Sequence, residues 1–502
     1  MTKPSVRIAL LGASLLALQG AAVSVPARAD DLRDALDSAY QTNPSLQAAR
    51  ANQRATDEGV PIAKAPGLPS LSGQATYTEY LKQSSVSFIA PKRNLDVNAQ
   101  LGVPIYSGGA VKNSVRAART RVDAGQADLR GTESGVFSQV VAAYMDVILQ
   151  QAIVGLNQSN VHVLKVNLQA TSDRFEIGDL TRTDVAQSNS RLAVANAGLR
   201  GAEASLVAAR ETYLQVVGKP PKDLAPPPPL TGLPASPDDA VQIALDNNPD
   251  LAAARERSKA AGYDAKAAGA GRYPRISLFT QGDYSNYLGS LNIPGAGTVP
   301  GQTTAQAGVR ATIPLFQGGL PAAQQRQAQA REGAALEQEI GVERQVIASV
   351  RSAFSSWRAA NDVIKMNETA VSAAQLSLEG VRAENSVGNR TILDILNAEQ
   401  ELLNAQVQLV TARRNAYVAG FNLLAAMGKA EARDLGLDGG VLYDPRVNYD
   451  RVKDKIWDWD RDPAPAAKST RTVDSPAQDA TIPPDSVPAR MEQGQDPMQG
   501  GK

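Results

Sequence analysis

The chain has no cysteine and a single histidine among its 502 residues. Without thiols there is no disulfide framework, no thiolate nucleophile, no zinc–thiolate site and no iron–sulfur cluster. No lipid anchor can form on a new N-terminal cysteine either. Neither sign of charge dominates, with 51 Lys and Arg against 51 Asp and Glu. That balance removes the clustered basic excess a nucleic-acid surface needs. Aromatics make up only 5%, and the Ala-rich remainder suits long, closely packed helices. Beyond the N-terminus no run reaches the roughly 18 apolar residues of a transmembrane helix. Insertion into a bilayer must then use strands or an interfacial face. There is no nucleotide-binding loop, nucleophilic triad or metal-ligating cluster, and the lone His162 reads as a packing or surface residue. The expectation is a non-enzyme with no catalytic residue, no metal and no cofactor.

Residues 1–29 carry Lys3 and Arg7, an apolar stretch over 8–18, and Ala27-Arg28-Ala29. This is the order of a cleaved secretory signal peptide, with an apolar core too short to span a bilayer.

Self-similarity organises the remainder of the chain. Val103-Pro104-Ile105-Tyr106-Ser107-Gly108-Gly109 recurs 210 residues later as Ile313-Pro314-Leu315-Phe316-Gln317-Gly318-Gly319. The same offset relates Gly178 to Gly388 and Gly218-Lys219 to Gly428-Lys429. One offset held over three landmarks reads as a tandem duplication, with repeats at 30–219 and 236–430. Residues 220–235 form a Pro-rich linker, stiff and poor in donors.

Each repeat reads as helix, two strands, long helix, turn and helix. From Gly109 to Glu176 there is no proline, and apolar residues recur at helical spacing, as in Val136, Val140, Ala143, Tyr144 and Val147. The corresponding stretch 320–386 has one proline, Pro321, in the first turn where a helix tolerates it. Each helix would be about 100 Å long, several times the usual length in a globular domain. The shorter segments 30–64 and 180–217, stacked end to end, would match it at roughly 110 Å.

The strand segments alternate. Leu95, Val97, Ala99, Leu101 and Val103 are interleaved with Asp96, Asn98, Gln100 and Gly102, and Ala305, Ala307, Val309, Ala311 and Ile313 with Gln306, Gly308, Arg310 and Thr312. Residues 71–78 alternate likewise and 276–284 more noisily. A half-buried soluble sheet has this period, and so does a transmembrane strand with apolar residues out and polar residues in. A signal peptide and charged inner positions favour the membrane strand. Four strands cannot close a barrel, and an open edge in lipid leaves backbone groups unsatisfied. Two copies would supply eight strands and three copies twelve.

The junction Pro314-Leu315-Phe316-Gln317-Gly318-Gly319 and the later turn Ser386-Val387-Gly388-Asn389-Arg390-Thr391-Ile392-Leu393-Asp394-Ile395-Leu396-Asn397-Ala398-Glu399 resemble the TolC-like outer-membrane efflux and type I secretion channels. The likeness runs over about 30–430. It implies a mainly α fold with membrane β: a homotrimeric twelve-stranded outer-membrane barrel, four strands per chain, continuing into a long periplasmic α-helical barrel. The partners it implies are a periplasmic adaptor (membrane fusion) protein, an inner-membrane pump of RND or ABC type, and outer-membrane lipid. The function it implies is a passive exit duct of a tripartite efflux or type I secretion system, powered from elsewhere.

By the same resemblance the turns at Gly178 and Gly388 lie at the periplasmic tip. Thr183, Asp184 and Arg390 match a lock between helix pairs, and Asp394 a pore-facing carboxylate. Asn397 stands where a second carboxylate is common, and Asn385 where a Tyr often completes the lock. Read on their own, Thr181-x-x-Asp184 and Thr391-x-x-Asp394 are capping boxes. A ring of carboxylates on an axis favours cations, and the two roles can coexist. Gly108, Gly109, Gly318 and Gly319 are the strand-to-helix junction glycines. The extension 431–502 is expected to be periplasmic and largely disordered from about 463. The competing reading is a periplasmic coiled-coil spacer or surface structural protein without a pore, which a sustained 3.5-residue repeat would favour; the stripes here are Ala-rich and interrupted.

Overall fold

The computed structural model describes residues 31–83, 91–293, 295, 297–437 and 442–482. The signal-peptide residues 1–29 lie outside the described residues. Helices α1 (Leu32–Thr42), α2 (Pro44–Asp57) and α3 (Gly59–Lys64) lead into strands β1 (Ser70–Glu79) and β2 (Arg93–Tyr106). Helix α4 (Ala110–Glu176) and helix α5 (Arg182–Val217) follow. The second half repeats this order with α6 (Pro237–Asn247), α7 (Pro249–Gly269), β3 (Arg275–Asn286), β6 (Gln302–Thr312), α8 (Leu320–Ser386) and α9 (Ile392–Ala426). Between β3 and β6 the two-residue strands β4 (Asn292–Ile293) and β5 (Gly297–Thr298) pair with each other. This small ribbon has no counterpart in the sequence reading. A final short helix, α10 (Pro445–Val452), lies in the C-terminal extension.

Both long helices are 67 residues and begin where the strand has just turned. That turn needs two successive left-handed residues: Gly108 at φ +64° and Gly109 at +86°, Gly318 at +61° and Gly319 at +83°. A side chain at such angles costs about 1 kcal/mol or more, which explains the doubled glycine. Helix α4 contains a window apolar enough to cross a bilayer, with a mean hydropathy of 1.4. This departs from the reading that no such stretch occurs, but 61% of the window is buried inside the protein.

The four long strands form one antiparallel sheet in the order β1-β2-β3-β6. Its register aligns like with like: Asn98 opposite Asp283, Asp96 opposite Ser285, Gln281 opposite Gln306, Leu278 opposite Val309. One face is a polar network, in which Asn98 Nδ2 donates to Asp283 Oδ1 at 2.5 Å and Ser285 Oγ to Asp96 Oδ1 at 2.7 Å. The other carries Leu71, Tyr77, Val97, Leu278 and Val309, all exposed. Within the chain β1 and β6 are free edges.

The main core lies midway along the helices. Tyr40, Phe137, Tyr144, Met145, Tyr213, Phe421 and Met427 are buried there, and Tyr40 and Phe137 pack with ring centroids 6.1 Å apart. The Pro-rich linker is bound to this belt, accepting hydrogen bonds from Tyr144 Oη at Ala225 O (2.5 Å) and Tyr417 Oη at Pro228 O (3.0 Å). Two asparagines splice stacked helices here. Asn43 Oδ1 caps α2 while its Nδ2 donates to Val216 O, near the end of α5, at 3.0 Å. Asn248 Oδ1 caps α7 and its Nδ2 reaches Ala426 O, at the end of α9, at 2.9 Å.

The extension departs from expectation. Residues 463–482 are irregular but docked: Arg210 Nη1 donates to Asp479 O at 2.6 Å, its Nη2 to Thr481 O at 2.7 Å, and Gln478 N to Glu211 Oε1 at 3.0 Å. A buried guanidinium needing acceptors explains why polar sequence without periodicity is held in place. Residues 483–502 lie outside the described residues.

Candidate functional site

The tip is built from two helix-turn-helix hairpins, α4–α5 and α8–α9. Each long helix ends on a glycine: Gly178 at φ +88° and Gly388 at +83°. Asp179 N reaches back to Arg174 O, and Asn389 N to Glu384 O, both at 2.9 Å. These six-to-one bonds are Schellman closures, which need a left-handed residue at that position. The next helix starts at once, on a complete capping box. Thr181 N donates to Asp184 Oδ2 at 2.9 Å and Asp184 N to Thr181 Oγ1 at 3.3 Å; Thr391 and Asp394 repeat the pattern at 2.9 and 3.3 Å. Hydrogen bonds from Thr181 and Thr391 hold both carboxyls below the usual Asp range.

The capping role of Asp184 and Asp394 is thus realised within the chain. Thr183 is exposed beside Asp184 on the first turn of α5. Within the single chain Arg390 pairs locally. Its Nε donates to Glu384 Oε2 of the same hairpin at 2.7 Å, and its carbonyl accepts from Asn385 Nδ2 at 2.7 Å. Asn385, expected only as a gap in the lock, braces the loop that carries Arg390. Asn397 Oδ1 accepts from Arg191 Nη2 at 2.6 Å, so it links α9 to α5.

A second tie lies about half a turn higher. Glu399 is 4% exposed in its side chain; its Oε1 accepts from Asn167 Nδ2 of α4 at 2.8 Å and from Arg382 Nη2 of α8 at 3.1 Å. Arg191–Asn397 and Asn167–Glu399 thus join the two hairpins. None of Arg191, Asn167, Arg382, Glu384 or Glu399 stands out in the sequence. One signal was present: Ile392, Leu396, Glu399 and Leu403 share an apolar stripe at spacings of four, three and four. A charge on that stripe needs a partner when buried.

At the membrane end, Gly108 is tightly enclosed. A Cβ there would lie 2.8 Å from Tyr273 Cβ and 2.9 Å from Ala270 O, whereas nothing within the chain lies near Gly318. His162 is exposed on α4, and no cluster of metal-ligating side chains occurs among the described residues.

A family model described as Outer membrane efflux protein matches residues 35–219 and 240–429. The chain is 35% identical to Outer membrane efflux protein BepC of Brucella suis biovar 1 (strain 1330), over 86% of this chain and 92% of that protein. It is 27% identical to Outer membrane protein TolC of Escherichia coli (strain K12), over 84% of this chain and 87% of that one. Among solved structures, the outer membrane protein VceC from Vibrio cholerae superposes with a TM-score of 0.68 at 24% identity, covering 79% of this chain and 96% of that chain. That likeness concerns the fold.

Proposed function

The chain belongs to the outer membrane efflux protein family, and from that premise we propose that three copies close their four-stranded sheets into one twelve-stranded barrel. The protein is an outer-membrane exit duct of an efflux or type I secretion system, with a long helical portion in the periplasm. The observation that carries the trimer is the sheet itself, polar on one face, apolar on the other and free along β1 and β6. Such edges must be paired in a bilayer. The matching 67-residue helices and the shared order of elements across 30–219 and 236–430 support a tandem duplication, giving six similar sectors around the axis. No nucleotide site is read from the sequence, so a periplasmic adaptor and an inner-membrane pump of RND or ABC type supply recognition and energy.

The tip is the gate. Asp394 from three chains forms a carboxylate constriction near the axis. Thr183 and Asp184 face Arg390 across neighbouring hairpins, and the Asn397 and Glu399 ties hold each chain's hairpins together. Carboxylate rings favour cations. Extracted in detergent, the protein should run as a trimer of about 150 kDa, since barrel closure demands more than four strands. In planar bilayers Asp394→Ala should lower cation preference. A monomer with intact β signal would refute the barrel; unchanged selectivity would leave Asp394 a cap alone.

A further inference from the structure

The C-terminal extension lies beyond the residues the family model matches, which end at 429, and it follows a defined course. It leaves the equatorial belt where Tyr443 N donates to Tyr40 Oη at 2.9 Å, with Arg50 stacked on both rings. It then runs beside α2 and α3 toward the membrane. Asn448 Nδ2 meets Asp57 Oδ2 at 2.7 Å, Tyr449 packs on Val60, Ala118 and Val122, and Lys64 Nζ binds Lys453 O at 2.5 Å and Asp454 Oδ1 at 2.7 Å. From Pro44 to Lys64 this is a climb of about 30 Å. A turn comes next, closed by Asp460 N to Trp457 O at 3.1 Å and by Lys455 Nζ to Asp460 Oδ2 at 2.7 Å. Arg451 grips Asp462 with two bonds of 2.6 and 2.8 Å, and the chain descends to Gly218 and Arg210.

At the apex of this hairpin, Ile456, Trp457 and Trp459 are 75%, 73% and 74% exposed. Three large apolar side chains held in water on a pinned turn need a partner. Height identifies it. Lys64 is only six residues before β1 begins, roughly 12 Å of chain through a 3₁₀ turn and two extended residues, and the apex rises three residues past Asp454. The headgroup layer adds about 5–8 Å to each side of the hydrocarbon core. At the same end Tyr106 at the end of β2 and Phe316 in the junction between β6 and α8 are exposed, the aromatic rim expected of a barrel at the membrane surface. The charges of 453–462, three basic and four acidic, nearly cancel. That suits a zwitterionic surface better than a charged polymer. Tyr449 seats α10 on Val60 of α3 and on Ala118 and Val122 of α4, so the packing face of the extension is already taken by its own chain, and a neighbouring copy over the apex is kept as an outcome of the test.

We propose that Ile456, Trp457 and Trp459 dip into the zwitterionic headgroup layer on the periplasmic side of the outer membrane, so that the extension tethers the helical belt to lipid. The inference rests on the outer-membrane reading above. The chain has three tryptophans, so Trp357→Phe leaves only the apex pair. The full-length Trp357→Phe trimer is reconstituted in phosphatidylcholine–phosphatidylethanolamine vesicles, with and without acyl chains brominated near the headgroup. More than half the emission should be lost to the brominated lipid, with little quenching by aqueous iodide. Emission quenched by iodide but not by bromine overturns the proposal, as does emission protected from both, which would place the turn against a second copy. A control with all three tryptophans changed to Phe and Val309→Trp added reports the barrel separately. Val309 lies on the sheet's apolar face, 65% exposed. If the control is not quenched by brominated lipid, the barrel reading fails; if it is quenched and the apex is not, only the tether fails.

Discussion

Replacing Glu399 by alanine should loosen the tip in a way that can be counted. Its carboxylate is an acceptor shared by α4, through Asn167, and α8, through Arg382. A buried hydrogen bond to a charged group contributes about 1.5–3 kcal/mol. Arg382 is about half exposed, and it recovers water when its partner is lost, so the lower half of that range applies. Asn167 is more enclosed and recovers less. A loss of about 2 kcal/mol per chain corresponds to roughly a 30-fold shift in the closed-to-open ratio of that tie. Three independent ties in a trimer would multiply the effect. Single-channel recording should show Glu399→Ala opening more often and to larger conductance than the parent. Glu399→Gln, which keeps an acceptor for Asn167 but loses the charge facing Arg382, should fall between them. Hydrogen exchange should rise on the lower halves of α4 and α9 and nowhere near the equator. The reasoning fails if Glu399→Ala lowers thermal stability by the expected amount while conductance stays at the parental value. The tie would then be structural and the closed state held elsewhere.

Three other perturbations test separate parts of the structure. Asn248→Asp keeps the cap on α7 but turns an anionic oxygen toward Ala426 O. Because Asn248 is 8% exposed, it should cost about 1–3 kcal/mol in thermal melting of the purified protein, and an unchanged melt would refute the splice. Gly108→Ala combines a left-handed backbone with contacts under 3 Å and should abolish correct folding. Gly318→Ala meets only open space within one chain but should block trimer assembly, because in the proposed trimer closure would bring the next chain to that place; normal trimer yield from Gly318→Ala would refute it. Acid should fray the tip. Asp184 and Asp394 have carboxyls held below the ordinary Asp value in the folded state, so their capping stability is complete above that value and is lost as pH falls through the lower folded one. Amide protection in the first turns of α5 and α9, measured against the intrinsic exchange rate at each pH, should be steady from about pH 8 to 5 and fall only below about pH 4. A loss of protection already between about pH 7 and 5 would contradict the cap assignment.

Much of the architecture was legible because it rests on short-range rules. Freedom from proline over 109–176 marks a helix whatever surrounds it. Doubled glycine at 108–109 and 318–319 follows from the φ angles of one turn. The Thr-x-x-Asp boxes are written within four residues, and the alternation in β2 and β6 within ten. What was not legible joins residues far apart in the chain. Glu399 to Asn167 spans 232 positions, Arg191 to Asn397 spans 206, and Arg210 to Asp479 spans 269. Polarity alone does not show which acceptor a buried guanidinium will find, so 463–482 read as disordered although Arg210 holds their far end in place. Arg390 shows the converse: its charge is plain in the sequence, but within one hairpin its nearest carboxylate is Glu384, six residues away.

The asparagine splices have a mechanical consequence. Every long helix runs as an unbroken rod from the membrane to the tip, whereas each neighbouring stave is two helices meeting at an amide. A load applied at the tip therefore travels through α4 and α8 by way of continuous helical hydrogen bonds. In the α5–α2 and α9–α7 staves it must cross Asn43 or Asn248, single side chains at the level of the aromatic belt. Such a joint can bend without melting either helix, since each half keeps its own cap or its own terminal turn. In the proposed trimer the belt would then be the pivot of the tunnel: below it the hairpins would swing as levers, while the rods keep the sheet above in register.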